Sequence, residues 1–352
     1  MLNPISTWSL LLQLFELAPE RKNFPIATNQ KYIYRLLKRN FFPFRAKTHQ
    51  GQILAKNCFT QTSLFLNEIW NKIIDYPYWD ALIGNIDETP IFFSTVPSKT
   101  IAKKGGKTII IRTQKQEKCI VSVLLTITAD GGKLAPYLIF KAKSGGRIEN
   151  ELQKDEHVLN KQCYISCNEN AWATDKILAD WFNKIWFPYL KKENAFNDEV
   201  DGLLILDQAT SHMTTNIINI LKKGFNEVTF IPPGLTRFLQ PLDVSINKPF
   251  KQNLREKYIS FCINNGAENI KVSRTKIISF ICEAWYDSSV ISKDIVYKSF
   301  RVTGIANKLD HSEDQLFKAW SQLEKEQPFI NNDLEEDYNL NENNEISDDE
   351  ED

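Results

Sequence analysis

The chain has 352 residues, of which 42% are hydrophobic and 25% charged, so collagen-like, wholly disordered and disulfide-knot classes are excluded. No apolar run reaches the roughly 18 residues of a membrane span. The opening ISTWSLLLQLFELAPE lacks the basic leading region of a secretory signal, so neither a membrane span nor a leader is expected. The formal net charge of −1 hides an asymmetry: residues 331–352 carry 11 acidic residues and no Lys or Arg, which leaves 43 basic against 33 acidic residues in the first 330. A basic body with an acidic tail suits a polyanion-binding protein, although a solvated surface with a disordered tail gives the same composition. The six cysteines (Cys58, Cys119, Cys163, Cys167, Cys262, Cys282) are scattered, which favours a reducing compartment over a disulfide framework.

In chain order, TNQKYIYRLLKRNFF (28–42) places Tyr32, Ile33, Leu36 and Leu37 at helical spacing, with Thr28 or Asn29 as cap. Residues 42–52 read as a loop broken by Pro43 and Gly51, and 59–75 as a second helix capped by Thr60. ALIGNIDET (81–89) has the pattern of a buried strand. Residues 117–143 read as two strands joined by ADGGK, a hairpin. Residues 173–190 form an amphipathic helix, LLILD (203–207) a strand ending in a carboxylate, 216–224 a helix closed by Gly224, and NEVTFIPP (226–233) a fifth strand. From Leu239 the pattern turns helical, with Pro249 forcing a kink or restart. Helices follow at 275–287, 292–304 and 312–327, the last opened by a capping box at Ser312 and Gln315. The acidic end is too polar to pack and reads as disordered. The expected class is therefore α/β, with a mixed five-stranded sheet flanked by helices.

Three carboxylates stand at positions of note. Asp87 ends the first strand, Asp207 ends the fourth, and Asp243 opens the helix behind Pro241. Strand ends of an open sheet converge on one rim. Three carboxylates gathered there repel one another unless a cation enters or one is protonated. Hard divalent ions such as Mg²⁺ prefer oxygen ligands and bridge carboxylates to phosphate, and a pair of them assists in-line phosphoryl transfer. Taken singly, each Asp reads as an ordinary strand-end or cap residue.

The runs NIDETP (85–90), LLILDQATSH (203–212) and VTFIPPGLTRFLQPLDVSINKPFK (228–251) resemble the pogo branch of the mariner-like DDE transposases, which includes tigger- and jerky-type proteins. THQGQ (48–52), ADGGKLAPYLIFKAK (129–143) and residues 283–307 fit the same pattern, so the resemblance spans about 30–310. It implies an RNase H-like core with Asp87, Asp207 and Asp243 as catalytic residues and ligands of two Mg²⁺ (or Mn²⁺) ions, 35 residues separating the last two. It further implies cleavage at transposon ends by water, transfer of the freed 3′-hydroxyl to target DNA at TA, pairing of two ends by a homodimer, and a nuclear location. No nucleotide cofactor and no membrane partner are expected.

On this resemblance the chain divides into 1–58, a partial centromere-protein-B-type helix-turn-helix remnant with a basic linker; 59–265, the RNase H-like DDE endonuclease core; 266–330, a helical C-terminal segment; and 331–352, the acidic tail. Arg35, Lys38, Arg39, Arg45, Lys47 and His49 match the basic helix end and loop of the DNA-binding region, of which full-length members carry two units where this chain has about 27 residues. The alternative implied is a transposon-derived, non-catalytic DNA-binding or chromatin-associated protein.

Other features carry two readings. Lys103, Lys104 and Lys107, with Arg112, Lys115 and Lys118, either hold DNA phosphate or form a solvated hairpin. His212 either touches water or DNA at the site or hydrogen-bonds within its loop. Glu88 should point away from Asp87 and serve structure. GGKT (105–108) is no P-loop, because the required earlier glycine is Ile101. KSGGR (143–147) is either a phosphate nest or a plain loop. Cys163 and Cys167 lack partners at zinc spacing and read as buried thiols, and Trp172, Trp181, Trp186, Trp285 and Trp320 read as core.

Overall fold

Alternating apolar residues, β-branched side chains and one wholly apolar run build a six-stranded mixed sheet. The structure, a computed structural model, describes residues 7–40, 44–46, 57–75, 78–92, 99–101, 121–193, 202–207, 226–265, 272–308, 310, 312–319, 321 and 323. The strands are β1 (Phe44–Ala46), β2 (Ile83–Ile91), β3 (Lys99–Ile101), β4 (Val121–Thr128), β5 (Tyr137–Lys141), β6 (Tyr164–Asn168), β7 (Gly202–Asp207) and β8 (Asn226–Ile231). The large sheet runs β6-β5-β4-β2-β7-β8, and β1 pairs with β3 in a separate antiparallel ribbon. β4 lies antiparallel to both β2 and β5, whereas β7 is parallel to β2 and to β8. This order, a three-stranded antiparallel meander (β2-β4-β5) extended by two parallel strands on the other side of its first strand, is the RNase H-like α/β arrangement, with β6 added beyond β5.

β4 is buried at every position, as befits VSVLLTIT at the centre of a sheet covered on both faces. Each fully buried Leu or Ile in this layer contributes about 1.5–3 kcal/mol relative to exposure. One face is covered by a continuous helical run: helix Asp175–Trp181, a π turn Phe182–Trp186, and helix Phe187–Glu193. Trp181 and Trp186 stack within it at 6.2 Å, and the Trp186 ring lies so close to β2 that a Cβ on Gly84 would stand 2.4 Å from it. Gly84 is therefore a packing requirement of the Trp186 contact. The antiparallel turn after β4 uses Gly131 at φ +94°, with Asp130 Oδ1 accepting from Gly132 N–H at 3.1 Å.

The last helices dock through a buried cation. Arg301, 1% exposed, donates to the Ala129 carbonyl at 2.9 Å, pairs with Asp80 and with Glu313, and its guanidinium stacks 3.8 Å from the Tyr297 ring centre. Lys133 reinforces this docking by donating to the carbonyls of Trp285 (2.7 Å) and Ile291 (2.8 Å). Near the start of the chain, helices Thr7–Leu17 and Ile26–Arg39 share a small core of Leu11, Phe15, Ile33 and Leu37, against which Ile263 packs.

Several expectations are corrected. The sheet has a sixth strand, β6, parallel to β5. Its open edge is closed by side chains: Glu149 accepts from Cys167 N–H at 3.2 Å, and Gln153 donates to the Ile165 carbonyl at 2.8 Å. Phe44–Ala46, expected as loop, forms β1 because β3 supplies its backbone partners. Thr28 and Asn29 do not cap their helix, which starts at Ile26 behind Pro25; Asn29 is buried and ties the helix to the preceding turn through the Arg21 and Phe24 carbonyls. Thr60 lies within a helix that begins at Cys58. The capping box at Ser312 does not form: Asp314–Leu316 is a 3₁₀ turn, and Gln315 bonds back to the Ser312 carbonyl. Trp181, Trp186 and Trp285 are fully buried as expected, but Trp172 is 50% exposed. The helix at 216–224, residues 324–352, Trp320 and Cys119 lie outside the described residues. Cys58, Cys163, Cys167, Cys262 and Cys282 are free and buried.

Candidate active site

The site is built where β2 and β7 part. Their pairing covers Ile83 to Asn85 against Leu203 to Ile205, after which β2 continues to Ile91 and β7 to Asp207. Asp87 and Asp207 stand beyond this fork. Asp243 comes from a third segment, the π turn Leu242–Ile246, which leads into helix Asn247–Asn264. The Asn247 N–H bonds to the Leu242 carbonyl, five residues back. The widening precedes Pro249, which has no N–H to offer the Ser245 carbonyl; the Phe182–Trp186 π turn likewise precedes Pro188. Pro249 thus restarts the helix, and the turn that accommodates it carries Asp243.

The Asn247 amide nitrogen lies between two of the carboxylates, donating to Asp87 Oδ2 at 2.6 Å and to Asp243 Oδ1 at 2.8 Å. The Asp87 carboxyl is raised from 3.8 to about 6, first by burial, then by the negative charge of Asp243, with Asp207 adding to the rise. The Asn247 amide pulls the other way by hydrogen bonding to the ionised form. The three expected carboxylates therefore form one electrostatic group. Asp243, Asn247 and Lys251 follow at four-residue spacing along the helical run. Desolvation lowers the Lys251 ammonium, while the charges of Asp87 and Asp243 hold it up.

Among the described residues, no three His, Cys, Asp or Glu side chains are grouped so as to hold a metal ion by themselves. What the site offers is an open-sided set of carboxylate oxygens, with a neutral amide N–H₂ donating to two of them. A hard divalent cation such as Mg²⁺ is typically held by one or two carboxylates together with water and substrate phosphate. The donor chemistry and the raised Asp87 carboxyl fit such an ion.

The other expected residues are placed as follows. Arg35, Lys38 and Arg39 are exposed on helix Ile26–Arg39, opposite buried Ile33 and Leu37. Arg45 lies in β1, where its backbone pairs with Thr100. Lys47, His49, Lys103, Lys104, Lys107, Arg112, Lys115, Lys118 and His212 lie outside the described residues. Glu88 accepts from the Ala173 N–H at 3.1 Å, a structural bond. The Gly145 N–H is taken by Glu149 Oε2 at 2.6 Å, so the KSGGR turn is filled by its own helix. Sequence reasoning passed over Asn247 and Asn85. The signal for Asn247 was its position one helical turn after Asp243; for Asn85 it was an amide two residues before Asp87 on the same strand.

A family model described as DDE superfamily endonuclease matches residues 117–300, just over half of the chain. The match includes Asp207 and Asp243 and begins after Asp87. The mouse protein "Pogo transposable element with KRAB domain" is 26% identical over 340 residues, covering 93% of this chain and 52% of the relative. Its human counterpart is 24% identical over 335 residues, covering 91% of this chain and 51% of its own. The chain thus spans about half the length of these curated relatives. Among solved structures, the "Mos1 transposase paired-end complex with left transposon end" aligns over 86% of this chain and 78% of its own, at 11% identity and a TM-score of 0.47. With the family model covering the sheet from β4 onward and the last two carboxylates of the site, the chain belongs to the DDE superfamily endonuclease family.

Proposed function

We propose that this protein is a metal-dependent DNA endonuclease and strand transferase of the pogo type, with Asp87, Asp207 and Asp243 as its catalytic carboxylates. The observation that supports this most is that the charges of Asp243 and Asp207, from the Leu242–Ile246 turn and β7, both act on buried Asp87 of β2 where the two strands part. A purely structural cluster would be neutralised by cations of the protein, yet here the largest causes acting on Asp87 are burial and like charge. The relatives bear the name of the pogo transposable element, and the solved neighbours include a Mos1 complex with Mn and another with Mg.

Two Mg²⁺ or Mn²⁺ ions held by the three carboxylates would supply Lewis-acid stabilisation of the phosphoryl oxygens and favour ionisation of the attacking group. The chain's own residues do the rest. Ionised Asp87, Asp207 and Asp243 would hold those ions at the fork of the sheet, and Asn247 orients two of the three. Lys251, on the same stripe, offers its ammonium to backbone phosphate. In the hydrolytic step water oxygen bonds to phosphorus and the 3′-oxygen leaves, taking a proton to become a hydroxyl. In transfer that hydroxyl takes the place of water as nucleophile: its oxygen bonds to a target phosphorus, its proton is given up, and the target strand's own 3′-oxygen leaves and takes a proton. No protein nucleophile is needed. The basic residues Arg35, Lys38 and Arg39, together with Arg45, Lys47, His49, Lys103, Lys104 and Lys107, would hold DNA backbone, and His212 would lie beside the site. DNA as substrate, with its TA target, a homodimer joining two transposon ends, and a nuclear location belong to the same proposal.

The test is nicking of supercoiled plasmid with Mg²⁺ or Mn²⁺. Metal-dependent nicking lost in Asp87→Ala, Asp207→Ala and Asp243→Ala, with DNA retention kept, supports the reading. Folded, DNA-retaining wild type that never nicks favours the second reading, a transposon-derived DNA-binding protein. That reading draws on relatives named for a KRAB domain in addition to the pogo element.

A further inference from the structure

The geometry points to Asn85 as the positioning residue that sets the spacing of the three carboxylates, an assignment that rests on the reading of the site given above. Asn85 is fully buried and is the last residue of β2 paired with β7, opposite Ile205. Its side-chain amide works in two directions at once. Nδ2 donates to the Ile205 carbonyl at 3.0 Å, and Oδ1 accepts from the Leu242 N–H at 3.1 Å. Asn85 lies two residues before Asp87, Ile205 two residues before Asp207, and Leu242 one residue before Asp243. One planar group therefore ties together the three backbone segments that carry the site.

The chemistry of the position explains the residue type. At the fork the Ile205 carbonyl gains its side-chain partner at the final β2–β7 rung, and the Leu242 N–H belongs to the first turn of a helical segment, where such groups lack an intrahelical acceptor. A donor and an acceptor are needed on one short side chain, and Asn provides both on separate atoms without carrying charge. Asp would keep the acceptor, lose the donor and bring a fourth negative charge beside Asp87. Ala would leave both backbone groups buried without this partner. Either change frees the turn bearing Asp243 to move relative to the strands bearing Asp87 and Asp207, while touching none of the three carboxylates.

The experiment compares wild type, Asn85→Ala, Asn85→Asp and a control, Ser299→Ala. Ser299 is equally buried and hydrogen-bonded, to the Val296 carbonyl at 2.6 Å, but lies in helix Lys293–Val302. Two quantities are read: the rise in melting temperature on adding Mn²⁺ or Mg²⁺ without DNA, and the metal concentration giving half-maximal plasmid nicking. Both Asn85 variants should lose most of the metal-induced rise and need about tenfold or more metal, the range seen when groups that orient ligands are removed. Ser299→Ala should lower the melting temperature of the metal-free protein yet keep the wild-type metal response. Asn85 variants with a lower melting temperature but an unchanged metal response would overturn the assignment and leave Asn85 a structural residue. Wild type that neither gains stability with metal nor nicks would instead remove the underlying reading of the site, and the assignment with it. Where Asn85→Ala does not fold, Asn85→Ser is read by the same two criteria.

Discussion

Two charged clusters lie along the first strand of the sheet, and they are built on opposite principles. At the start of β2, Arg301 meets Asp80, Glu313, a carbonyl and an aromatic face, so every charge has a partner of opposite sign. Seven residues on, Asp87 meets Asp243 and Asp207, charges of its own sign, with the Asn247 amide between two of them and the Lys251 ammonium within reach of Asp87 and Asp243. The first arrangement fastens helix Lys293–Val302 to the sheet. The second stores repulsion at a fork in the sheet, where a cation or a protonated carboxyl relieves it. The difference separates a structural use of buried charge from a chemical one within a single strand.

The contrast can be broken at its strongest point first. Arg301→Ala strands Asp80 and Glu313 without their cation and should cost about 3–5 kcal/mol, the usual consequence of breaking a buried pair from one side. Urea denaturation checks this, and a loss below 1 kcal/mol would show that the C-terminal helices dock without it.

Next comes the pH response of the other cluster. The folded Asp87 carboxyl is raised from 3.8 to about 6, so the folded state binds its proton more tightly than the unfolded state. Stability of the metal-free protein should therefore be fully supported below about pH 4 by this group and fall as pH rises through 6, by on the order of 2–3 kcal/mol. Asp87→Asn should flatten that slope, and Mg²⁺ should restore stability at pH 7. Denaturation curves at several pH values, with and without the ion, decide it; an unchanged slope in Asp87→Asn would place the pH dependence elsewhere.

Smaller again is Gly84→Ala. A Cβ 2.4 Å from the Trp186 ring must displace that side chain, and overpacking of this kind costs about 1–3 kcal/mol. Thermal melting and Trp fluorescence report it together. Smallest is Trp172→Ala, half exposed beside Ala173, which should change stability by less than about 0.5 kcal/mol.

Much of this was legible in the sequence because it is local. The strands at Asp87, Asp207 and residues 226–231 announce themselves by apolar runs between turn residues, and ADGG supplies the antiparallel turn after β4. The three carboxylates were found because each ends or follows a recognisable element. What escaped depends on partners distant in the chain. β6 is short and half polar, and its strand character comes from β5 and from the side chains of Glu149 and Gln153. β1 exists only through β3, more than fifty residues on. Arg301 reads as one more surface arginine until Asp80 and Ala129 are brought to it. Asn85 and Asn247 are uncharged, so a search for charged chemistry passes over the two amides that hold the carboxylates in place.

The central claim is that the cluster in which carboxylates of like charge crowd together is the working one. It is tested most directly by plasmid nicking with Mn²⁺ or Mg²⁺, comparing the intact protein with Asp207→Ala. Metal-dependent nicking by the intact protein, abolished in a variant that still folds and still retains DNA, is the predicted result. Equal nicking by both proteins, or none by a folded, DNA-binding wild type, would contradict it.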